Sequence, residues 1–276
     1  VTGATRFDRA TAIEQTGDSR YRADLDTGYW VVAGPNGGYL AALVVRAVEA
    51  AVADPARAVR TVTLHYPARP VEGPVDIEVR VERAGRSLST VSVRMTQGGA
   101  LVVLGLAACS PPWAGMAFED ATMPSVPAAA DCAEIMADGG TLGIHERFDY
   151  RWAVGHAPFL ADAPPVVPAP SYGGGWIRTA EPRPVDAAAI ASFTDAWPPA
   201  VFARRDPDHV VLGVPTVELT VHFRRRLPLP DAAADDWYLC SFRSRTCAEG
   251  FVEEDGEIWS ADGLLVAQSR QLAIAR

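Results

Sequence analysis

One feature constrains this chain more than any other: it contains a long-range repeat. His65-Tyr66 with Arg69 recurs at the same spacing as His222-Phe223 with Arg226. Each segment follows a stretch of helical character and is followed by further strands. Each run closes on a strand that leaves a glycine turn, Gly99-Ala100-Leu101-Val102 in the first copy and Gly263-Leu264-Leu265-Val266 in the second. A unit repeated in this way pairs with its own copy to bury a shared core. The unit here is one helix followed by four antiparallel strands.

The local patterns fill in that unit. Tyr29 to Ala33 is apolar, Gly34-Pro35-Asn36-Gly37-Gly38 interrupts it, and Tyr39 to Val52 is rich in Ala, Leu and Val without Gly or Pro. This order reads as strand, turn and buried helix. Val59–Tyr66, Val75–Glu82, Leu88–Thr96 and Leu101–Cys109 read as strands, and the clean alternation from Val75 to Val81 predicts one wet face. Residues 113–140, with scattered Ala and Gly139-Gly140, lack periodicity and read as a linker between an N-terminal repeat over 1–112 and a C-terminal repeat over 141–276. In the second copy, Arg147–Trp152 reads as a strand, 157–171 as a Pro-rich loop, and Gly173-Gly174-Gly175 as a turn into a strand through Arg178. A helix is expected over Asp186–Trp197, continuing past Pro198-Pro199 to Phe202. Helix and sheet are both too apolar to face water, so each sheet must wrap its helix, and the two sheets join side by side. The expected fold class is α+β, a double hotdog.

Composition closes several functional routes. Every cationic side chain other than histidine is Arg; the absence of Lys removes both phosphate-loop and Schiff-base chemistry. A formal charge of -9 argues against nucleic acid and anionic membranes as partners. Cys109, Cys132, Cys240 and Cys247 show neither disulfide density nor metal spacing, which fits a reduced cytoplasm. No apolar run reaches membrane-spanning length, and residues 2–9 have no signal-peptide core. There is no Gly-x-Ser-x-Gly elbow, no dinucleotide fingerprint and no HExxH. The abundance of Arg, Ala and Val suggests a GC-rich bacterial genome.

The remaining motifs are Gly37-Gly38 at the head of the first helix, Gly85-Arg86-Ser87, Asp195 in the second helix, Pro215-Thr216-Val217 before His222-Phe223-Arg224, and Asp262-Gly263-Leu264-Leu265-Val266-Ala267-Gln268-Ser269-Arg270-Gln271. In this order, over nearly the whole chain, the sequence resembles the acyl-CoA thioesterase II, or TesB-like, family. The resemblance implies tandem hotdogs that hydrolyse acyl-CoA to free acid and CoA with no cofactor or metal, assembled as a homodimer or larger oligomer. It implies Asp195, Thr216 and Gln271 as the catalytic trio.

Thioester hydrolysis needs an oriented water, a proton acceptor and donors for the developing oxyanion. Asp195 can accept the proton, while Thr216 and Gln271 can hold the water or steady the carboxylate. Aligning the copies sets Gln271 opposite Ala107, Thr216 opposite a position near Val59 and Asp195 opposite one near Gly38, so only the second copy keeps all three polar groups. Asn36, Gly37 and Gly38 offer backbone N–H groups at a helix N-terminus for substrate binding. Arg83, Arg86, Arg224, Arg225, Arg226, Arg243 and Arg245 are candidates for CoA phosphates. The structural alternatives are Asp195 capping the turn at Pro198-Pro199, Thr216 and Gln271 as ordinary strand residues, and Asn36–Gly38 as a plain turn. Two functional alternatives also stand: an acyl-CoA-binding protein without turnover, and an enoyl-thioester hydratase, for which no histidine lies in either expected helix.

Overall fold

A computed structural model describes residues 3–32, 34–134, 142–155, 170–204, 211 and 213–275. Gly139-Gly140, His156, His209 and nearly all of the Pro-rich stretch lie outside these residues.

The chain begins with the short helix α1 (Arg6–Ala10), the hairpin β1 (Glu14–Gly17) and β2 (Arg20–Leu25), and two brief strands, β3 (Trp30–Val31) and β4 (Gly34–Pro35). Helix α2 (Gly37–Val52) follows, then β5 (Ala58–His65), β6 (Gly73–Ala84), β7 (Ser89–Gln97) and β8 (Ala100–Ser110). The second half repeats the plan. β9 (Phe148–Gly155) and β10 (Tyr172–Thr179) precede α3 (Ala187–Phe193), followed by β11 (Thr216–Phe223), β12 (Tyr238–Arg243), β13 (Cys247–Ala248), β14 (Phe251–Ser260) and β15 (Leu265–Ile274).

One antiparallel sheet runs β1-β2-β6-β7-β8-β5-β11-β15-β14-β12-β10-β9, with β13 on β14. The order reads the same from either end when each strand is exchanged for its counterpart. The seam is the β5/β11 pair, where Thr63 faces Thr220 and their hydroxyls bond at 3.0 Å. Thr63 and Thr220 hold equivalent places in the repeat, so a pseudo-twofold axis passes between them. The repeat spacing thus became a double hotdog. It is not a simple meander, however, because β5 pairs with β8 and with the other half, never with β6.

Each half wraps its helix. Asn36 caps α2 by accepting the Tyr39 N–H at 3.0 Å, and Ala53 ends it in the left-handed conformation at φ 50. α2 is apolar on nearly every face because the sheet covers one side and α3 the other, and Leu40, Leu43, Val44, Val45 and Val48 are all buried. In α3, Ala187, Ala188, Ala189 and Ala191 are buried small residues that permit close approach to α2. One large apolar cluster joins both helices and both halves of the sheet.

Three local expectations are corrected. Tyr29–Ala33 was expected as a strand, but Thr27–Tyr29 forms a 3-10 turn and only Trp30–Val31 pairs, with Gly34–Pro35. Gly173, Gly174 and Gly175 lie inside β10, not in a turn before it. A Cβ on Gly174 would stand 2.2 Å from Cys240 O and one on Gly175 2.0 Å from Arg151 O, so these glycines let three strands close up at a bulge. Finally, α3 stops at Phe193, and a separate 3-10 turn spans Ala200–Ala203. The prolines at 198 and 199 lack the N–H groups that a helix running on to Phe202 would need.

Between the halves, residues 111–128 have no regular structure. Beyond them Ala129–Asp131 form a 3-10 turn, and Trp176 Nε1 donates to Pro127 O at 2.9 Å, tying this connector to β10.

Candidate active site

Asp195 sits in the turn just past α3 rather than inside the helix, with its N–H donating to Ser192 O at 3.3 Å. It does not cap the following turn, whose cap position is Pro199 with no side-chain bond. Its carboxylate reaches across the pseudo-twofold to the N-terminus of α2. Oδ2 accepts Asn36 Nδ2 at 2.9 Å and the Gly38 N–H at 3.1 Å, while Asn36 Nδ2 also reaches the Asp195 carbonyl at 2.6 Å. A helix N-terminus favours a negative group placed there.

This contact explains the two glycines. A Cβ on Gly38 would lie 2.6 Å from Ser192 O, and one on Gly37 would lie 3.0 Å from Asp195 Oδ2 and 3.6 Å from Thr216 Oγ1. Gly38 lets the end of α3 abut the start of α2. The missing side chain of Gly37 leaves a gap bordered by both the Asp195 carboxylate and the Thr216 hydroxyl.

Burial pushes Asp195 up to about 6, and the surrounding donors of Gly38, Gln271, Gly37 and Asn36 pull it back toward the ionised form. The result is a carboxylate that is mostly charged at neutral pH yet basic enough to take a proton.

Thr216 and Gln271 come from adjacent strands. Gln271 stands opposite Leu219 in the β11/β15 ladder, and a bulge between Thr216 and Glu218 turns Thr216 so that Gln271 Nε2 donates to its Oγ1. The first half carries the same bulge between Val59 and Thr61, with Ala107 opposite Val62. Register therefore equates Thr216 with Val59 and Gln271 with Ala107, as the sequence comparison has it. The helix positions differ. Counting from the equivalent caps Asn36 and Asp186, Asp195 corresponds to Val45 rather than to a residue near Gly38. Val45, Val59 and Ala107 are all buried and apolar. Among the described residues the polar cluster occurs once, at the end of the seam where α2 begins.

All six residues singled out in the sequence are thus neighbours. The Asn36 side chain and the Gly38 N–H are directed at Asp195. Of the arginines suggested for CoA phosphates, Arg224 bonds Gln268, Arg225 pairs with Glu119, Arg226 reaches Pro55 O and Arg245 pairs with Asp255.

Two site residues escaped the sequence reading. Tyr66 donates its hydroxyl to Gly37 O at 2.9 Å, and burial with the Asp195 charge nearby holds it neutral far above the usual phenol range. Its signal was the repeat itself, which has Tyr66 in one copy and Phe223 in the other. Glu254 stands directly across the β14/β15 ladder from Gln271, accepts the Ala200 N–H at 2.5 Å, and is pushed up to about 8 by burial, with Asp195 adding to the shift. It hides in the run Glu253-Glu254-Asp255, which looks solvated, although strand alternation sets it on the inner face with Val252 and Gly256.

The other reactive groups lie elsewhere. Cys109 is buried and its thiol is pushed up to about 11, and burial raises Cys240 further. His65 and His222 are exposed strand residues, and His145 packs edge-on against Tyr150. Among the described residues no group of three or more His, Cys, Asp or Glu is placed to hold a metal, and no helix is long and apolar enough to cross a membrane.

The doubled helix-in-sheet unit with one polar cluster at its seam defines a tandem hotdog protein. Residues 27–110 match the model of the acyl-CoA thioesterase N-terminal domain and residues 128–275 that of the acyl-CoA thioesterase C-terminal domain, so the chain belongs to the acyl-CoA thioesterase family. It is 23% identical to the thioesterase-like protein TwmA of Talaromyces wortmannii, over 97% of this chain and 91% of that protein. A hot dog fold protein of unknown function from Alicyclobacillus acidocaldarius is 26% identical, with a TM-score of 0.85 over 100% of this chain and 99% of its own. The acyl-CoA thioesterase II TesB2 of Mycobacterium marinum, 22% identical, shares the fold at a TM-score of 0.75 over 98% of each chain.

Proposed function

We propose that this protein hydrolyses acyl-CoA thioesters by direct attack of water. The water occupies the gap beside Gly37, held by the Thr216 hydroxyl and the Gln271 amide, and gives its proton to Asp195 as its oxygen adds to the thioester carbonyl. The carbon–sulfur bond then breaks, the acid is released, and the CoA thiolate takes up the proton. Asn36 and the Gly38 N–H keep the carboxylate aimed, and Tyr66 fixes the backbone of the helix start.

The observation that carries this reading is a carboxylate, raised to about 6 by burial, that shares a gap with a hydroxyl already bonded to an amide. Family membership supports the thioester class. The proposal includes a homodimer or larger oligomer working in the cytoplasm on the thioesters of lipid metabolism, and light scattering in solution reads the assembly.

Free-thiol release from acyl-CoAs of graded chain length tests the activity. Wild type should release CoA, and Gln271→Ala should lower kcat by roughly tenfold or more, the scale of a lost positioning contact. Binding of acyl-CoA without any release of thiol would sink the hydrolase reading in favour of a carrier.

A further inference from the structure

Attack of water on a thioester puts negative charge on the carbonyl oxygen, and that oxygen needs a hydrogen-bond donor. The start of α2 is the natural place to look, but its N–H groups are already spent. The Asn36 N–H donates to Tyr29 O at 2.9 Å, the Gly37 and Gly38 N–H groups are directed at Asp195, and the Tyr39 N–H donates to Asn36 Oδ1 at 3.0 Å. Thr216 and Gln271 are bonded to each other, and in the scheme above they hold the water.

Tyr66 borders the same gap. A Cβ on Gly37 would lie 3.5 Å from Tyr66 Cζ, beside the 3.0 Å to Asp195 Oδ2 and 3.6 Å to Thr216 Oγ1. The Tyr66 N–H donates to Val217 O at 3.1 Å, which anchors the residue next to Thr216. Its hydroxyl rests on Gly37 O at 2.9 Å. That carbonyl is the first inside α2 and also takes a helical N–H, so the hydroxyl hydrogen can turn away without stranding it. Burial, with the Asp195 charge nearby, keeps the phenol neutral, so it acts as a donor and holds its proton. The repeat supplies an independent observation. The seam pairs Thr63 with Thr220, so Tyr66 corresponds to Phe223, and counting from the helix caps sets Ala187 in the place of Gly37. Around that second position Val45, Val59 and Ala107 replace the trio, and Phe223 differs from Tyr66 by the hydroxyl alone. Packing keeps the ring in both halves, while the hydroxyl accompanies the polar trio.

We infer that Tyr66 is a catalytic residue whose hydroxyl turns from Gly37 O to the thioester oxygen and donates a hydrogen bond that strengthens as that oxygen becomes an oxyanion. The inference rests on the hydrolase reading above. Water adds to the carbonyl carbon and loses one proton to Asp195, while the C=O electron pair moves onto the oxygen facing the Tyr66 O–H. Return of that pair re-forms C=O and breaks the carbon–sulfur bond. The CoA thiolate then takes the proton from Asp195, and the phenol proton stays on Tyr66 throughout.

The test compares thiol release from octanoyl-CoA by wild type and Tyr66→Phe, with full pH profiles. The variant should lose about 10²-fold or more in kcat, the scale of a deleted oxyanion donor. Its KM and the midpoint of its pH profile should stay near wild type, because Asp195 keeps its own donors. If Tyr66 only braced the start of α2, its loss would disturb those donors and move the midpoint. A second measurement leaves Tyr66 in place: the infrared stretch of an isotope-labelled carbonyl in octanoyl-CoA bound to Asp195→Asn should lie below that of free octanoyl-CoA in water, because the donor polarises the bond. Wild-type kcat in Tyr66→Phe, a pH midpoint that moves with the substitution, or a bound carbonyl stretch no lower than the free one overturns this inference and leaves the thioesterase reading standing. No thiol release by wild type from any acyl-CoA overturns both.

Discussion

Asp195 combines two opposed demands. Burial raises its affinity for a proton to about 6 from an ordinary 3.8, so the folded protein binds that proton more tightly than the unfolded chain does. Its contribution to stability is therefore fully present below the ordinary carboxylate range and is lost as pH rises through 6. Glu254, raised to about 8 from 4.5, acts in the same direction over a higher range. Melting temperature should fall between pH 5 and 8, and Glu254→Gln should flatten the upper part of that fall. Catalysis runs the other way, because only the ionised base accepts a proton, so kcat/KM should rise through pH about 6 and level off. A profile flat from pH 5 to 8 would argue against Asp195 as base. At this scale the resemblance picked out Asp195, Thr216 and Gln271, and the structure places these three side chains together. The sequence was opaque where burial changes a residue's character. Residue type alone does not separate Glu254 from Glu253 and Asp255; the alternation that does so is fixed only once the strand is placed.

The elements show how glycine misleads. The strands from β5 to β8 were readable to within a residue or two of their ends because their apolar alternation is strong. Gly173-Gly174-Gly175 reads as a turn, yet the residues form a strand whose neighbours approach too closely for a Cβ at Gly174 or Gly175. The α3 helix was read too long, because its Ala-rich pattern carries on to Trp197 while the backbone turns at Thr194, whose hydroxyl donates to Ala191 O at 2.7 Å. The same close packing predicts a sensitive site at the contact between α2 and α3. Gly38→Ala puts a methyl 2.6 Å from Ser192 O. Overpacking of this kind costs about 1–3 kcal/mol, and thermal unfolding should show a lower midpoint together with a loss of turnover as Asp195 is displaced. An unchanged midpoint would mean the helix ends are free to separate.

For the whole molecule, the pseudo-twofold explains why one site is built from two repeats. Asp195 comes from the second copy, and three of the four donors around it, Gly38, Gly37 and Asn36, come from the first, so a change in the first half should alter the base in the second. Asn36→Ala removes a donor to the ionised carboxylate. The midpoint of the pH profile should move upward, and kcat/KM at pH 7 should fall by roughly tenfold. A midpoint that stays put would show that Asn36 only caps α2. The repeat made the doubled fold legible from spacing alone, but the crossing of Asp195 to the other helix was not, because sequence alignment compares copies and cannot show how they touch. The most direct test of the whole account is CoA release from one good acyl-CoA substrate by wild type and by Asp195→Asn, with both shown to be folded by circular dichroism. The account predicts a fall in kcat on the order of 10²-fold or more in the variant. Equal turnover by the two proteins would contradict it.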